Sequence, residues 1–335
     1  MNSDVVSTHS PGQAGEEGLE EVFCPSCGSA RYRVLFRKMD NTYGISTFEF
    51  PVVKCKGCGF VYLNPRPDIR HIHRYYPPEF YTVDKTPEKV LEERRRSLDA
   101  RLRMIGKRPP GRLLDIGCSR GEFMHRMREI GWDPYGIDFS STPPNMFNVP
   151  VHIGTVHDSP YALGSFDLVT LWAVLEHTHD PLDMLKQVRS FLKPDGRALV
   201  LVPNFNSIPG RFMRHDDVPR HLVMFTPKTL RLMAARAGLE VKRIVFGDEI
   251  FSGSTRGMFN YLWKLLNGEQ LSEIVAQNRA SDRWAEFSTC IHGLPSDFML
   301  KVDRFDIKIT RYLDKIVNRL GYGFTMTVEL GLPQS

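Results

Sequence analysis

The chain has 335 residues, 41% hydrophobic and 25% charged, with a net charge of +5. That length suits one domain of about 200 residues and a smaller companion. The excess charge is slight and is not gathered into a long basic run, which argues against a role wrapped around a polyanion. No stretch approaches ~18 consecutive apolar residues, so no membrane-spanning helix is expected.

Residues 1–20 are polar and rich in Gly, Ser and Glu, with no apolar stretch of the kind a secretion signal needs. A disordered tail and a cytoplasmic protein are expected. Residues 21–64 carry Cys24-Pro-Ser-Cys27-Gly28 and Cys55-Lys-Gly-Cys58-Gly59, two Cys-x-x-Cys knuckles separated by 27 residues. Each knuckle turns tightly, and its glycine lets backbone amides face the thiolates. Cys24, Cys27, Cys55 and Cys58 together predict a closed tetrahedral zinc site, with β-type runs at 31–36 and 45–53 forming a zinc ribbon between them. Two disulfides are the competing arrangement of the same cysteines. A closed four-thiolate site has no open position, so its role is to hold the fold.

Residues 65–110 are expected to be a linker and a helix. Asn64-Pro-Arg-Pro67 and Tyr75-Tyr76-Pro-Pro-Glu-Phe-Tyr81 are turn-rich, and their aromatics should pack between the ribbon and the larger domain. A helix is predicted over 88–105, with Leu98, Leu102 and Ile105 on one face. The basic cluster Arg94–Arg96 lies among Glu92, Glu93 and Asp99 and reads as a solvated face. Pro109-Pro-Gly111 ends it.

From residue 111 the pattern alternates strand and helix, the mark of a parallel α/β sheet. The first strand, 112–115, ends on Asp115 and leads through Gly117, Ser119 and Gly121 into a helix, a nucleotide-type loop at a strand's carboxyl end. A dinucleotide is the wrong occupant, because Ser119 and Glu122 stand where glycines belong and two acids would repel a pyrophosphate. An acid at the strand end suits a cationic ligand. The next strand, 134–137, ends on Asp138, 21 residues past Gly117, where a carboxylate grips ribose hydroxyls. Phe139 is its neighbour. Ser141-Thr-Pro-Pro144 leaves no room for a long second helix. Strands are expected at 151–154, from Phe166, at 197–202 and at 240–246, with helices at 181–192 and from Thr226 to Gly238. A last strand is expected at 324–329.

At these residues a family resemblance is plain. Asp115-Ile-Gly117-Cys118-Ser119-Arg-Gly121 resembles the first motif of class I S-adenosylmethionine-dependent methyltransferases, with Ser119 in place of a common glycine. The four cysteines, the Asn-Pro-Arg-Pro turn and the paired tyrosines resemble the lead-in of a bacterial methyltransferase group. Phe166-Asp through Leu175-Glu176-His177 is similar to ubiquinone-type O-methyltransferases. The resemblance runs from Cys24 to about Leu330. It implies a Rossmann-like seven-stranded sheet over 111–335, S-adenosylmethionine as donor, and a helical insertion at 250–322.

It also implies site roles. Asp115, Gly117, Cys118, Ser119, Gly121, Asp138 and Phe139 would bind the donor, and Trp172 could shield its sulfonium by a cation–π contact. Glu176 and Arg220 stand on the substrate side, with Arg220 neutralising an acidic acceptor. His221 and His177 are the candidate general bases, His221 slightly ahead, since a histidine's reference pKa suits proton removal from a hydroxyl. Some ubiquinone-type enzymes bind a divalent ion here, but Ala173 replaces their extra acid, so no metal is carried over.

The expected activity is methylation of a hydroxyl on a small molecule, sugar or lipid-linked acceptor. The alternatives are an rRNA or tRNA methyltransferase that uses the ribbon on RNA, and a binding module without catalysis. Nucleic acid is disfavoured as a partner. The apolar stripe through Phe298, Val302, Phe305, Ile309, Leu313, Ile316 and Leu320 reads as a helical lid, or as a homodimer or membrane-surface contact at the inner face of the membrane.

Overall fold

The computed structural model describes residues 18–40, 42–81, 88–140, 145, 147–207, 210, 217–247, 250 and 312–333. The tail before residue 18 and most of the insertion, 251–311, lie outside the described residues.

The amino-terminal part contains β1 (Leu19–Glu20), β2 (Tyr32–Lys38), β3 (Phe50–Cys55), β4 (Val61–Leu63) and β5 (Arg66–Pro67), then α1 (Pro78–Tyr81) and α2 (Glu88–Ile105). The larger part continues with β6 (Arg112–Ile116), α3 (Glu122–Glu129), β7 (Asp133–Asp138), β8 (Val151–Ile153), β9 (Phe166–Trp172), α4 (Pro181–Phe191), β10 (Leu192–Pro203), β11 (Val223–Met224), α5 (Pro227–Arg236), β12 (Glu240–Phe246) and β13 (Thr325–Gly331).

Seven strands form one sheet in the order β12-β13-β10-β9-β6-β7-β8. The pairs β10–β9, β9–β6, β6–β7 and β7–β8 are parallel. β13 is antiparallel to both neighbours, β10 and β12. The chain leaves β6 toward one edge, then returns to β9 on β6's other side. That reversal opens a crevice at the carboxyl ends of β6 and β9, where open α/β sheets bind ligands.

Side chains alternate across the sheet. Leu113, Leu168, Leu199 and Leu201 pack with Leu98 and Ile105 of α2 and Phe123 and Met127 of α3. Leu114, Val169, Leu171, Val200 and Val202 pack on the other face with Leu185 and Phe191 of α4 and Leu230 and Met233 of α5. Burial on both faces explains the near-continuous apolar strands. Each fully buried Leu or Phe contributes roughly 1.5–3 kcal/mol. Thr226 caps α5 in a reciprocal box with Thr229, as a Thr-Pro-x-Thr start favours.

Two boundaries differ from expectation. β10 begins at Leu192, ahead of the expected start at 197, with a register break before Arg197. Residues 223–224, where no strand was expected, form β11 and join the ribbon sheet, whose order is β11-β4-β3-β2. The ribbon is therefore continuous with the larger part. Phe60 meets Phe225 edge to face at 5.4 Å, and Phe50, Val52, Val53, Tyr62 and Leu63 are fully buried in the core that holds α4 and α5. Of the predicted stripe only the carboxyl-terminal end is described, and there Ile316 and Leu320 are exposed.

Candidate active site

Donor-side residues sit on the loop after β6. Thr170 Oγ1 of β9 donates to Asp115 Oδ1 at 2.6 Å. Burial pushes the Asp115 carboxyl up to about 7, against the pull of Thr170 and the Arg101 guanidinium. Gly117 is left-handed at φ +76°, and a Cβ there would lie 2.4 Å from Val174 Cγ2. Only glycine fits that turn, and its amide donates to Ile137 O at 2.8 Å. Ser119 is also left-handed, at φ +49°, and its amide donates to Asp138 Oδ2 at 2.7 Å. Gly121, at φ +80°, starts α3.

Cys118 turns its thiol inward with Met124 and Val149, so it lends the loop only its backbone. Asp138 Oδ1 accepts from the Ser140 amide at 3.1 Å. Both carboxylate oxygens thus accept from amides and keep acceptor capacity for a vicinal diol. Burial raises the Asp138 pKa, and the Ser119, Ser140 and Phe139 amides pull it back. Phe139, next along the chain, is 70% exposed. Trp172 lies in the core, edge-on to Phe123 at 5.4 Å and under the Arg101 guanidinium at 5.6 Å. A cation of the protein already stands over its ring.

A second group adjoins the first where Val174 packs on Gly117. β9 exits through Ala173, left-handed at φ +57°, into a short turn, Leu175–His177. Glu176 is buried, and neither carboxylate oxygen has a partner among the described residues. Burial pushes its pKa up to about 8, so it is largely neutral at pH 7. His177 Nδ1 lies 3.0 Å from Arg220 O and 3.0 Å from the Tyr76 hydroxyl. A carbonyl can only accept, so Nδ1 carries the proton and Nε2 keeps its lone pair. His221 is the opposite tautomer, because its Nδ1 accepts the Asp217 N–H at 3.3 Å. The two rings lie 4.8 Å apart, edge to face. Burial lowers both pKa values, His221 to about 3 with His177 adding to the effect.

Arg220 differs from its expected role as a substrate cation. It has no exposed surface, and its guanidinium donates to Asp217 at 2.8 and 2.6 Å, to Asp40 Oδ1 at 2.9 Å and to Tyr75 O at 3.0 Å. With its donors taken inside the protein, it cannot reach an acceptor. From sequence, packing is the favoured role of the paired tyrosines over substrate contact, and neither Asp40 nor Asp217 has an assigned role. The Asp217–Arg220 spacing of three was the one available signal; Asp40 gives none. Glu176, His177 and His221 each offer a ligand atom within 4.8 Å of the others. In the tautomer that the Asp217 amide fixes, however, His221 has no lone pair for a cation.

The four ribbon cysteines are free thiols. Cys24 and Cys58 sulfurs lie 3.6 Å apart, and those of Cys27 and Cys55 lie 3.5 Å apart. Four sulfurs at ~2.3 Å from a tetrahedral zinc would be ~3.8 Å apart, so the cluster fits that ion. The Gly57 amide donates to Cys55 Sγ at 3.3 Å. Against burial, the Cys58 and Gly57 amides bring Cys55 down to about 7, while burial drives Cys24 far up. A cation would relieve that buried thiol.

The strand order decides the fold. Numbered within the sheet by chain order it reads 6-7-5-4-1-2-3 with strand 7 reversed, which is the class I methyltransferase arrangement. Residues 90–244 match the family described as "Methyltransferase domain". Residues 90–244 thus resemble a methyltransferase domain, carried on a sheet with the class I order. The chain is 30% identical over 172 residues to a ubiquinone biosynthesis O-methyltransferase of Cereibacter sphaeroides, covering 48% of this chain and 65% of that protein. A protein of the same description from Pseudomonas aeruginosa is 26% identical, over 54% of this chain and 82% of its own. A solved SAM-dependent methyltransferase from Archaeoglobus fulgidus aligns with 73% of this chain and 99% of its own, at 19% identity and a TM-score of 0.44. The ribbon lies outside the family match, which begins at residue 90.

Proposed function

We propose that the chain transfers the methyl group of S-adenosylmethionine to a hydroxyl oxygen of a small-molecule, sugar or lipid-linked acceptor, with His177 as general base. The observation that carries this reading is the tautomer of His177, fixed at Nδ1 by the Arg220 carbonyl so that Nε2 keeps its lone pair, on the turn next to Val174 and the Gly117 loop.

Bound S-adenosylmethionine supplies an electrophilic methyl group on a sulfonium. The chain does the rest. Asp138 receives the ribose diol on the lone pairs its amides leave, and Asp115 offers negative charge toward the donor's ammonium. His177 Nε2 takes the acceptor's O–H proton as the oxygen attacks the methyl carbon. The carbon–sulfur bond breaks with its electrons passing to sulfur, and the imidazolium then returns its proton to water. The depressed pKa of His177 keeps the base unprotonated at neutral pH. His221 in its observed tautomer has no lone pair left for this task, so the base assignment moves to His177. The zinc ribbon serves as structure, with Cys24, Cys27, Cys55 and Cys58 as its ligands.

Methyl-labelled donor incubated with an extract of the source cells, then separated into RNA, protein, lipid and small-molecule fractions, tests the acceptor class. Label is expected in the small-molecule or lipid fraction. Label confined to RNA would replace this reading with a nucleic-acid enzyme.

A further inference from the structure

The ribbon reaches the histidines through one buried ionic cluster. Asp40 lies in the turn between β2 and β3 and is fully buried. Its carboxylate accepts the Thr42 and Tyr43 amides at 3.2 Å each and the Ile45 amide at 3.1 Å. It also accepts Arg220, at 2.9 Å to Oδ1 and 3.4 Å to Oδ2. Thr42 Oγ1 donates to Asp217 at 2.7 Å, and the Tyr43 ring lies 4.7 Å beneath the Arg220 guanidinium. The side chains of Arg220 and Asp217 are therefore fixed from the ribbon side.

Their backbones face the other way. The Arg220 carbonyl holds His177 Nδ1, and the Asp217 amide holds His221 Nδ1. The Asp217 carbonyl takes the His221 amide at 2.8 Å, and the Leu222 amide bonds to Glu176 O at 2.9 Å. β11 then pairs with β4 of the ribbon. A guanidinium with no exposure and two carboxylate partners is costly to bury. Arg220 as a cation toward substrate does not account for that burial; a fixed carbonyl does.

We propose that Asp40 of the ribbon is a positioning residue for methyl transfer, holding the Arg220 carbonyl where it fixes the tautomer of His177. The ribbon is then part of the acceptor half of the site, and a chain without it would keep the donor half alone. This rests on the reading of His177 as the base.

The test uses the full-length, zinc-loaded protein with Asp40→Asn, which keeps the side chain's shape and removes its charge. Three quantities are read: zinc per chain, affinity for S-adenosylhomocysteine by calorimetry, and the ring-nitrogen tautomer of His177 by long-range proton–nitrogen correlation, assigned with His177→Gln. Wild type is expected to show His177 protonated at Nδ1. Asp40→Asn should keep its zinc and bind S-adenosylhomocysteine within about threefold of wild type, while His177 shifts to a mixture of tautomers. Transfer of label from the donor should fall at least tenfold, in kcat rather than in KM for the donor.

If Asp40→Asn loses its zinc, Thr42→Val removes only the hydroxyl bond to Asp217 and gives the same readout at smaller amplitude. An unchanged His177 tautomer in a zinc-retaining variant overturns the inference. Failure of the underlying reading looks different: the tautomer would shift while His177→Gln transferred label at the wild-type rate.

Discussion

Replacing Asp138 by alanine should separate donor binding from everything else the domain does. In the structure its two oxygens already hold the Ser119 amide at 2.7 Å and the Ser140 amide at 3.1 Å. The lone pairs left over are those a ribose diol would meet. Each hydrogen bond to a charged carboxylate is worth about 1.5–3 kcal/mol, so losing two costs roughly 3–6 kcal/mol of donor affinity. At ~1.36 kcal/mol per factor of ten, that is at least about 100-fold in Kd. The Ser119 amide also loses its acceptor, which relaxes a residue held at φ +49° and should lower the melting temperature of the ligand-free protein by a few degrees. Asp138→Asn keeps one acceptor oxygen and should lie between the two. Calorimetric titration with S-adenosylmethionine, alongside a melting curve, measures both effects. A folded Asp138→Ala protein that binds the donor within about fivefold of wild type would refute the placement of the ribose.

Three further outcomes are expected from the same geometry. Burial raises Asp115 to about 7, so the ligand-free protein holds a proton there below that pH, and a cationic donor must expel it. Donor affinity should weaken roughly tenfold between pH 7.5 and pH 6, with proton release on binding, and Asp115→Asn should flatten that profile. Glu176, raised to about 8 from 4.5, costs stability as pH climbs above its unfolded value and through its folded one. Glu176→Gln should therefore match wild type near pH 4.5 and be more stable by several kcal/mol near pH 8; a less stable variant at pH 8 would show instead that the carboxylate is held by a cation. Stripping metal from the ribbon with a chelator removes binding energy on the order of 10 kcal/mol. The melting temperature should then fall by more than about 10 °C, and a change under 2 °C would contradict a zinc site.

Much of the fold was readable because parallel strands buried on both faces leave an apolar signature between glycine and proline punctuation. α2 and β12 fall at the expected 88–105 and 240–246. The donor loop was readable because its chemistry is local: Asp115, Gly117, Ser119 and Asp138 lie within one strand–loop–helix–strand unit. The acceptor side was harder for a physical reason. Arg220 and Asp40 are separated by 180 positions, and no periodicity reports a contact at that distance. An arginine between a proline and a histidine reads as a substrate cation until two carboxylates and a carbonyl are seen to occupy it. β11 is only two residues long and becomes a strand because β4 offers it a free edge. Tautomers, which decide between His177 and His221, depend on partners such as Arg220 O and are invisible in any single chain segment.

The most direct test of the account is single-turnover transfer of labelled methyl from bound donor to the acceptor fraction, comparing wild type with His177→Gln and His221→Gln. His177→Gln should bind S-adenosylmethionine normally and lose about 100- to 10,000-fold in rate, while His221→Gln should lose much less. Equal rates for wild type and His177→Gln, or transfer abolished only by His221→Gln, would contradict the account.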